Sequence, residues 1–301
     1  MTQPDAALLA LLRMLAARGY RFVTPTPATH ARVIARPDRR EARSLEDALG
    51  WSLPFARDLL DGEVLELLGA AEVLEPAGGG WRSNVRVSSL GERLYLHSAY
   101  PTKAEDAVFF GPDSYRFASL IQAELGEASG HIVDIGTGAG VGAIVAGGLC
   151  PQARLTMTDI NPKALQLAAI NAEAAGLTVR GVLGDDLSGV EGSVDVVLAN
   201  PPYIIDKSDR AYRNGGGMLG GQVSLDMARM ALARLLPGGR FILYTGSAIV
   251  SGRDGLREAL EGLGGELRYR EIDPDVFGEE LENEAYARVD RIALVAAVIT
   301  K

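Results

Sequence analysis

Asn200-Pro201-Pro202-Tyr203 is the tetrapeptide of this chain whose residue types and order could do the most specific chemistry. Two consecutive prolines fix φ and remove two backbone donors, leaving a stiff loop whose carbonyls can face a ligand. Asn200 Oδ1 and the Pro201 carbonyl are then two acceptors able to hold both hydrogens of one NH2 group. Such a clamp suits an amide or aniline-like nitrogen, whose lone pair is delocalised and has to be aimed at an electrophilic carbon. Positioning, together with acceptors that favour the charge developing on nitrogen, supplies acceleration without a covalent enzyme intermediate. Tyr203 can lie against the planar face of such a group. Alone, the tetrapeptide is a proline-stiffened turn after a strand; its address decides.

A second chemical signal lies upstream, in Val133-Asp134-Ile135-Gly136-Thr137-Gly138-Ala139-Gly140. An apolar strand runs into a loop with a glycine at every second position, followed by an apolar helix. Glycines tolerate positive φ and let backbone approach a ligand that a Cβ would exclude. Asp159, with Ile160 beside it, ends the next apolar run, and Asp185-Asp186 follow the one after. An acid at the first of these places can accept hydrogen bonds from both hydroxyls of a ribose, and one at the second can meet an adenine amino group. Each acid alone reads as a solvated side chain, but three acids at the ends of three successive strands make a nucleoside site. A dinucleotide is the competing occupant. Counting from Gly136, its G-x-G-x-x-G pattern meets Val141 instead of glycine, whereas counting from Gly138 the form ending in alanine is met by Ala143. Asp134, directly before the glycines, would repel a pyrophosphate.

These residues need a scaffold. Segments 131–136, 154–160, 177–184, 193–200 and 239–246 read as buried strands, with helices over 141–149, 162–175, 222–236 and 253–263. Alternating strands and helices predict a mostly parallel sheet covered on both faces, an α/β Rossmann-like fold whose ligands sit beyond the carboxyl ends of the strands. Segment 291–299 is a last, apolar strand. Before residue 105 the pattern differs: Leu8, Leu9, Leu11, Leu12 and Leu15 lie at helical spacing, Ser44 caps a second helix, and 55–70 is helix-periodic. A strand, the Gly78-Gly79-Gly80 turn and the alternating Val85 and Val87 predict one hairpin after those helices. The expected division is a smaller, winged-helix-like N-terminal domain at 1–105, choosing the substrate, and a catalytic domain at 106–301.

Of the 301 residues, 47% are hydrophobic and 23% charged, enough for substantial cores. No apolar run reaches the roughly 18–20 residues that span a bilayer, and Asp5, Arg13 and Arg18 mark the first segment as an amphipathic helix and not a signal peptide. A cytoplasmic protein with no membrane partner is expected. One cysteine, Cys150, and three scattered histidines leave no metal site in the sequence. Residues 1–105 hold 13 Arg plus Lys and 13 Asp plus Glu, so the net charge of −9 falls on the remaining residues, with 17 basic and 26 acidic. That balance argues against a broad nucleic-acid surface. Arg32, Arg36, Arg39, Arg40 and Arg43 cluster, but Asp38 and Glu41 dilute them.

The loop VDIGTGAG, the acid in TDINP and NPPY together resemble the class I SAM-dependent methyltransferases, over about 105–301. The resemblance implies a seven-stranded sheet with its final strand inserted antiparallel, S-adenosylmethionine (SAM) as cofactor and S-adenosylhomocysteine as product. It implies Asp134, Gly136, Thr137, Gly138 and Gly140 near the methionine part of SAM, Asp159 and Ile160 at the ribose, and Asp185 or Asp186 near adenine. Asp113 and Ser114, in a segment like one that closes the SAM pocket in related enzymes, become cofactor candidates, Asn200, Pro201 and Tyr203 catalytic ones, and Asn200 a cofactor contact as well.

NPPY accompanies transfer to glutamine amides in proteins and to exocyclic amines of adenine or guanine in nucleic acids. Gly220-Gly221 and the following helix resemble the glutamine-N5 methyltransferases of peptide-chain release factors, so a protein glutamine is the expected acceptor. Gly215-Gly216-Gly217, expected to be an added flexible element, and the N-terminal region depart from that group. An RNA amine, a small molecule, or binding of SAM without catalysis remain as other readings.

Overall fold

The computed structural model describes residues 2–126, 130–205 and 213–301. Its chain forms two compact units that do not follow one cut in the sequence. The first comprises residues 1–116, Gly138–Gly140 and Lys163–Thr178; the second holds the rest.

In the first unit, α1 (Gln3–Ala17) starts at a capping box, in which the Thr2 and Asp5 side chains each accept the other's backbone N–H. Its leucine stripe, Leu8, Leu9, Leu11, Leu12 and Leu15, is buried as the spacing predicts. Helices α2 (Pro27–Ile34), α3 (Leu45–Leu49) and α4 (Gly62–Ala70) follow, capped by Thr26, Ser44 and Asp61. There are then two hairpins instead of the single one expected. The first pairs β1 (Leu74–Ala77) with β2 (Gly80–Ser83), and the second pairs β3 (Val85–Leu90) with β4 (Arg93–Ser98). The second was missed because its turn, Gly91-Glu92, spans only two residues; Gly91 there has φ +58°. Trp51 packs edge-on to Phe22 with ring centroids 5.4 Å apart, and the Trp81 backbone forms a β-bridge with Phe55. Arg39 of the arginine cluster pairs with Asp47 at 2.9 Å. The unit ends inside α5 (Pro112–Glu124).

The second unit is built on β5 (His131–Ile135), β6 (Arg154–Asp159), β7 (Arg180–Leu183), β8 (Val194–Ala199), β9 (Leu235–Val250), β11 (Glu266–Asp273) and β12 (Arg291–Thr300), in the order β11-β12-β9-β8-β5-β6-β7. A two-residue strand, β10 (Arg253–Asp254), pairs with the end of β9. Strands β7, β6, β5, β8 and β9 run parallel, and β12 inserts antiparallel between β9 and β11. Helices α6 (Val141–Leu149), α7 (Pro162–Ala174), α8 (Gln222–Arg234) and α9 (Gly255–Glu261) connect the strands. Val133, Val197, Phe241, Leu225 and Ala297 belong to one buried cluster of strand and helix side chains.

Two differences from the sequence reading have a common cause. Strand β11 went unread because ELRYREID is polar and alternates between exposed and half-buried positions; such charge suits an edge strand, where it discourages pairing with another chain. Strand β9 runs on past 246 to Val250 because β12 pairs with it from Arg240 to Ile249. No helix among the described residues is long and apolar enough to cross a membrane.

Candidate active site at the carboxyl edge of the sheet

The order in which successive strands are added reverses between β5 and β8, which are parallel neighbours with Ile135 opposite Ala199. Gly136 and Asn200 therefore leave the sheet side by side, at the kind of switch point where ligands of open α/β sheets bind.

Asp134, on β5, is 2% exposed, and its Oδ2 accepts from Thr137 Oγ1 at 2.6 Å and from the Ala143 amide at 3.0 Å. Burial pushes its pKa up to about 6, against the lowering effect of those donors. A Cβ on Gly142 would overlap this carboxylate, so α6 must begin with a glycine there for the acid to fit. The Thr137 amide donates to the Thr158 carbonyl at 3.0 Å and ties the loop to β6. Gly136 has φ +63°, a conformation that favours glycine.

Asp159 ends β6 and is 9% exposed; its Oδ1 accepts the Asn161 amide at 2.9 Å. Ile160 beside it is 55% exposed. The Gly184 amide donates to the Asp159 carbonyl at 3.0 Å, which brings the end of β7 to the end of β6. Of the two acids that follow, Asp186 Oδ1 accepts from the Ser188 amide at 2.9 Å and hydroxyl at 2.7 Å, and those bonds hold its pKa below the usual carboxylate value. Asp185 is exposed and bonds to nothing among the described residues.

Gly138 and Gly140 belong to the first unit. A Cβ on Gly138 would sit 3.9 Å from the Phe109 carbonyl, so within this unit Phe109 lies near Gly138. Asp113 and Ser114 are buried at the start of α5, where the Gly111 amide donates to Ser114 Oγ at 3.3 Å and Asp113 lies 3.6 Å from Arg116. Sequence reasoning missed Asn171. Only 1% exposed, its Oδ1 accepts the Leu96 amide at 2.8 Å, and its Nδ2 donates to the Leu96 and Ala139 carbonyls at 3.0 and 2.9 Å. An asparagine inside a helix gave no sign that it anchors a loop thirty residues away.

Asn200 is half-buried, and its carboxamide forms no hydrogen bond among the described residues; the Pro201 carbonyl likewise accepts none. Both acceptors are thus available at the switch point. Tyr203 is only 7% exposed. Its ring packs on the backbone of Gly246, where a Cβ would overlap it, and lies edge-on to Phe277 with centroids 5.9 Å apart. In this conformation the tyrosine anchors the loop by its own side chain. A Cβ on Gly220 would overlap the Tyr203 carbonyl, and one on Gly215 the Gly220 carbonyl. Gly215 is therefore a close-packing residue, a correction to the flexible element expected at 215–217. The acidic stretch 273–284 and the turn after it, through Tyr286, also contribute to this part of the site. Phe277 meets Tyr203, Glu280 pairs with Arg213, and the Ile205 amide donates to Tyr286 Oη at 2.8 Å. The stretch braces the Asn200–Tyr203 loop. Only a tyrosine and a phenylalanine among many acids hinted at this.

The model of the Methyltransferase small domain family matches residues 110–250. A release factor glutamine methyltransferase of Moorella thermoacetica is 31% identical over 277 residues, 85% of this chain and 93% of that protein. The chain belongs to the SAM-dependent methyltransferases. Other release factor glutamine methyltransferases match this methyltransferase over about half of their own length. A ribosomal RNA small subunit methyltransferase C of Pseudomonas entomophila is 30% identical over 112 residues, 33% of this chain and 34% of that protein. Among solved structures, M. jannaschii TYW2 in complex with AdoMet aligns at TM-score 0.50 and 15% identity, covering 76% of this methyltransferase and 92% of that chain, which shows a shared fold. SAM is the cofactor. The bare backbone at Gly136, the acids closing β5 and β6 and the exposed apolar surface of Ile160 fit it.

Proposed function

We propose that this methyltransferase transfers the methyl group of SAM to the side-chain amide nitrogen of a glutamine in a protein. The observation that carries the reading is the unengaged pair of acceptors, Asn200 Oδ1 and the Pro201 carbonyl, beside Gly136 at the switch point. The names of the relatives similar over most or part of the chain support the glutamine.

When bound, SAM supplies an electrophilic methyl group and leaves as S-adenosylhomocysteine. Gly136, Thr137, Gly138 and Gly140 offer backbone to its methionine part, with Asp134 the nearby anion for that cationic portion. Asp159 accepts from the ribose hydroxyls, Ile160 covers the base, and Asp185 meets the adenine amino group, since Asp186 is held by Ser188. Asp113 and Ser114, buried at the start of α5, are the further cofactor contacts in this reading. Asn200 and Pro201 accept both hydrogens of the substrate NH2, fix its plane and favour the positive charge that grows on nitrogen; one of the two protons is then released. Tyr203 holds the loop rigid through Gly246 and Phe277.

Incubation with radiolabelled SAM and fractionated cell extract tests the reading: label is expected in protein, and label confined to RNA or to small molecules would replace it. In Asn200→Ala the loss of one preorganised acceptor lowers kcat by about 10²–10³-fold. Because the carboxamide forms no hydrogen bond among the described residues, thermal stability and S-adenosylhomocysteine affinity stay at wild-type levels. Near-normal turnover would mean that the clamp is wrongly assigned.

A further inference from the structure

A cavity of about 420 Å³ lies in the second unit at the far end of β9, lined from Met218 to Gly221 and from Ser247 to Leu256. Its walls are the chain neighbours of the two glycines that pack on Tyr203. Leu219 and Gly221 flank Gly220, and Ser247 and Ala248 follow Gly246. The cavity is thereby linked to Tyr203 through Gly220 and Gly246.

Met218, Leu219, Ala248, Val250 and Leu256 give it apolar walls, with Ser247, Ser251 and the charged Arg253, Glu258 and Arg288 completing the lining. Met218 remains 40% exposed, and a flexible, polarizable side chain of this kind adapts to an apolar partner. Met218 and Leu219 both have positive φ, +53° and +54°. A non-glycine residue there is disfavoured by roughly 1–2 kcal/mol, and such strain concentrates where a shape is kept for a ligand. At the rim, Arg253 is engaged by Glu258 at 2.8 Å. Arg288 is exposed and bonds to nothing among the described residues. A free guanidinium is notable in a part of the chain that carries 17 basic and 26 acidic residues.

We propose that this cavity is a second subsite for the protein substrate, holding an apolar side chain near the target glutamine while Arg288 meets a carboxylate of the same substrate. The proposal rests on the glutamine reading and adds where and by what chemistry the substrate is recognised. Aliphatic side chains without an aromatic platform, and one lining cation unpaired among the described residues, suit a polypeptide better than a nucleic acid, which is gripped by stacking rings and several cations.

The test uses a purified bacterial peptide-chain release factor made in a host lacking its own methyltransferase, so that its glutamines are unmodified. Wild type is compared with Ala248→Phe, which fills the cavity, and with Arg288→Glu, a surface change that leaves folding alone. Both raise KM for the release factor about tenfold or more, as loss of an anchoring contact does, while kcat and S-adenosylhomocysteine affinity stay within about twofold. Arg288→Lys restores most of the loss. Methylation by wild type with unchanged KM in both variants overturns the subsite and leaves the glutamine reading standing, and so does a defect confined to kcat or S-adenosylhomocysteine affinity. Absence of methylation by wild type overturns the glutamine reading and the subsite with it.

Discussion

Replacing Tyr286 by phenylalanine isolates how much of the catalytic loop's order depends on a residue more than eighty positions away. Tyr286 is 1% exposed, and its hydroxyl accepts the Ile205 amide at 2.8 Å, two residues beyond Tyr203. Burial also pushes its pKa up, so the hydroxyl is neutral at every working pH. Phenylalanine keeps the ring and its packing and removes only the acceptor. A part-buried amide left without a partner costs about 1–3 kcal/mol. If the loop stays in place, that cost falls on stability, and Tm drops by roughly 2–4 °C per kcal/mol in a unit of this size. If Ile205 instead moves outward to find water, the loop shifts with it, and a displacement of about 1 Å at reacting groups lowers turnover by as much as 10²-fold. Differential scanning fluorimetry, calorimetry with S-adenosylhomocysteine and steady-state turnover separate the two outcomes. Cofactor affinity is unchanged in both, because the glycine loop and Asp159 are untouched. Wild-type Tm together with wild-type kcat would refute the reasoning that Tyr286 holds the loop.

Three further outcomes follow from the geometry. Asp134 has a folded pKa raised to about 6 from 3.8; between those values the folded state holds the proton that the unfolded state has lost, so stability falls as pH rises through that window. Asp134→Asn should therefore raise the Tm of the cofactor-free protein at pH 7.5 but not at about pH 4, and the wild type should bind SAM less tightly below about pH 6, where the acid is protonated; a flat affinity profile would count against the acid facing a cation. Gly246→Ala pushes the Tyr203 ring off its backbone contact and should lower kcat by tenfold or more while leaving S-adenosylhomocysteine affinity in place, and equal losses in both would show a wider collapse. Asn171→Leu leaves the Leu96 amide and the Ala139 carbonyl unpaired in a buried place, and chemical denaturation should report a loss of about 2–4 kcal/mol, an unchanged midpoint telling against its role as a clamp.

The sequence alone determined the alternation of strands and helices, the address of the glycine loop and of NPPY, and the acids that close successive strands. These are local signals. An apolar strand, a glycine that must adopt positive φ and a proline pair carry their consequences within a few residues. Tertiary structure decided the rest. Strand β11 exists because β12 offers it a ladder, since its own side chains are polar. Strand β9 is long for the same reason. Gly215, Gly220 and Gly246 read as flexible points or plain strand positions until Tyr203 is seen to fill the space that their missing Cβ atoms leave. Phe277 lies in an acidic stretch whose composition suggests solvent and Tyr286 just after it, and they acquire a task only where the fold brings them to Tyr203 and Ile205. Asn171 became legible only when its three partners, far off in the chain, came within hydrogen-bond reach. Contacts between residues distant in sequence leave no periodic trace in either segment, and this part of the site is made of such contacts.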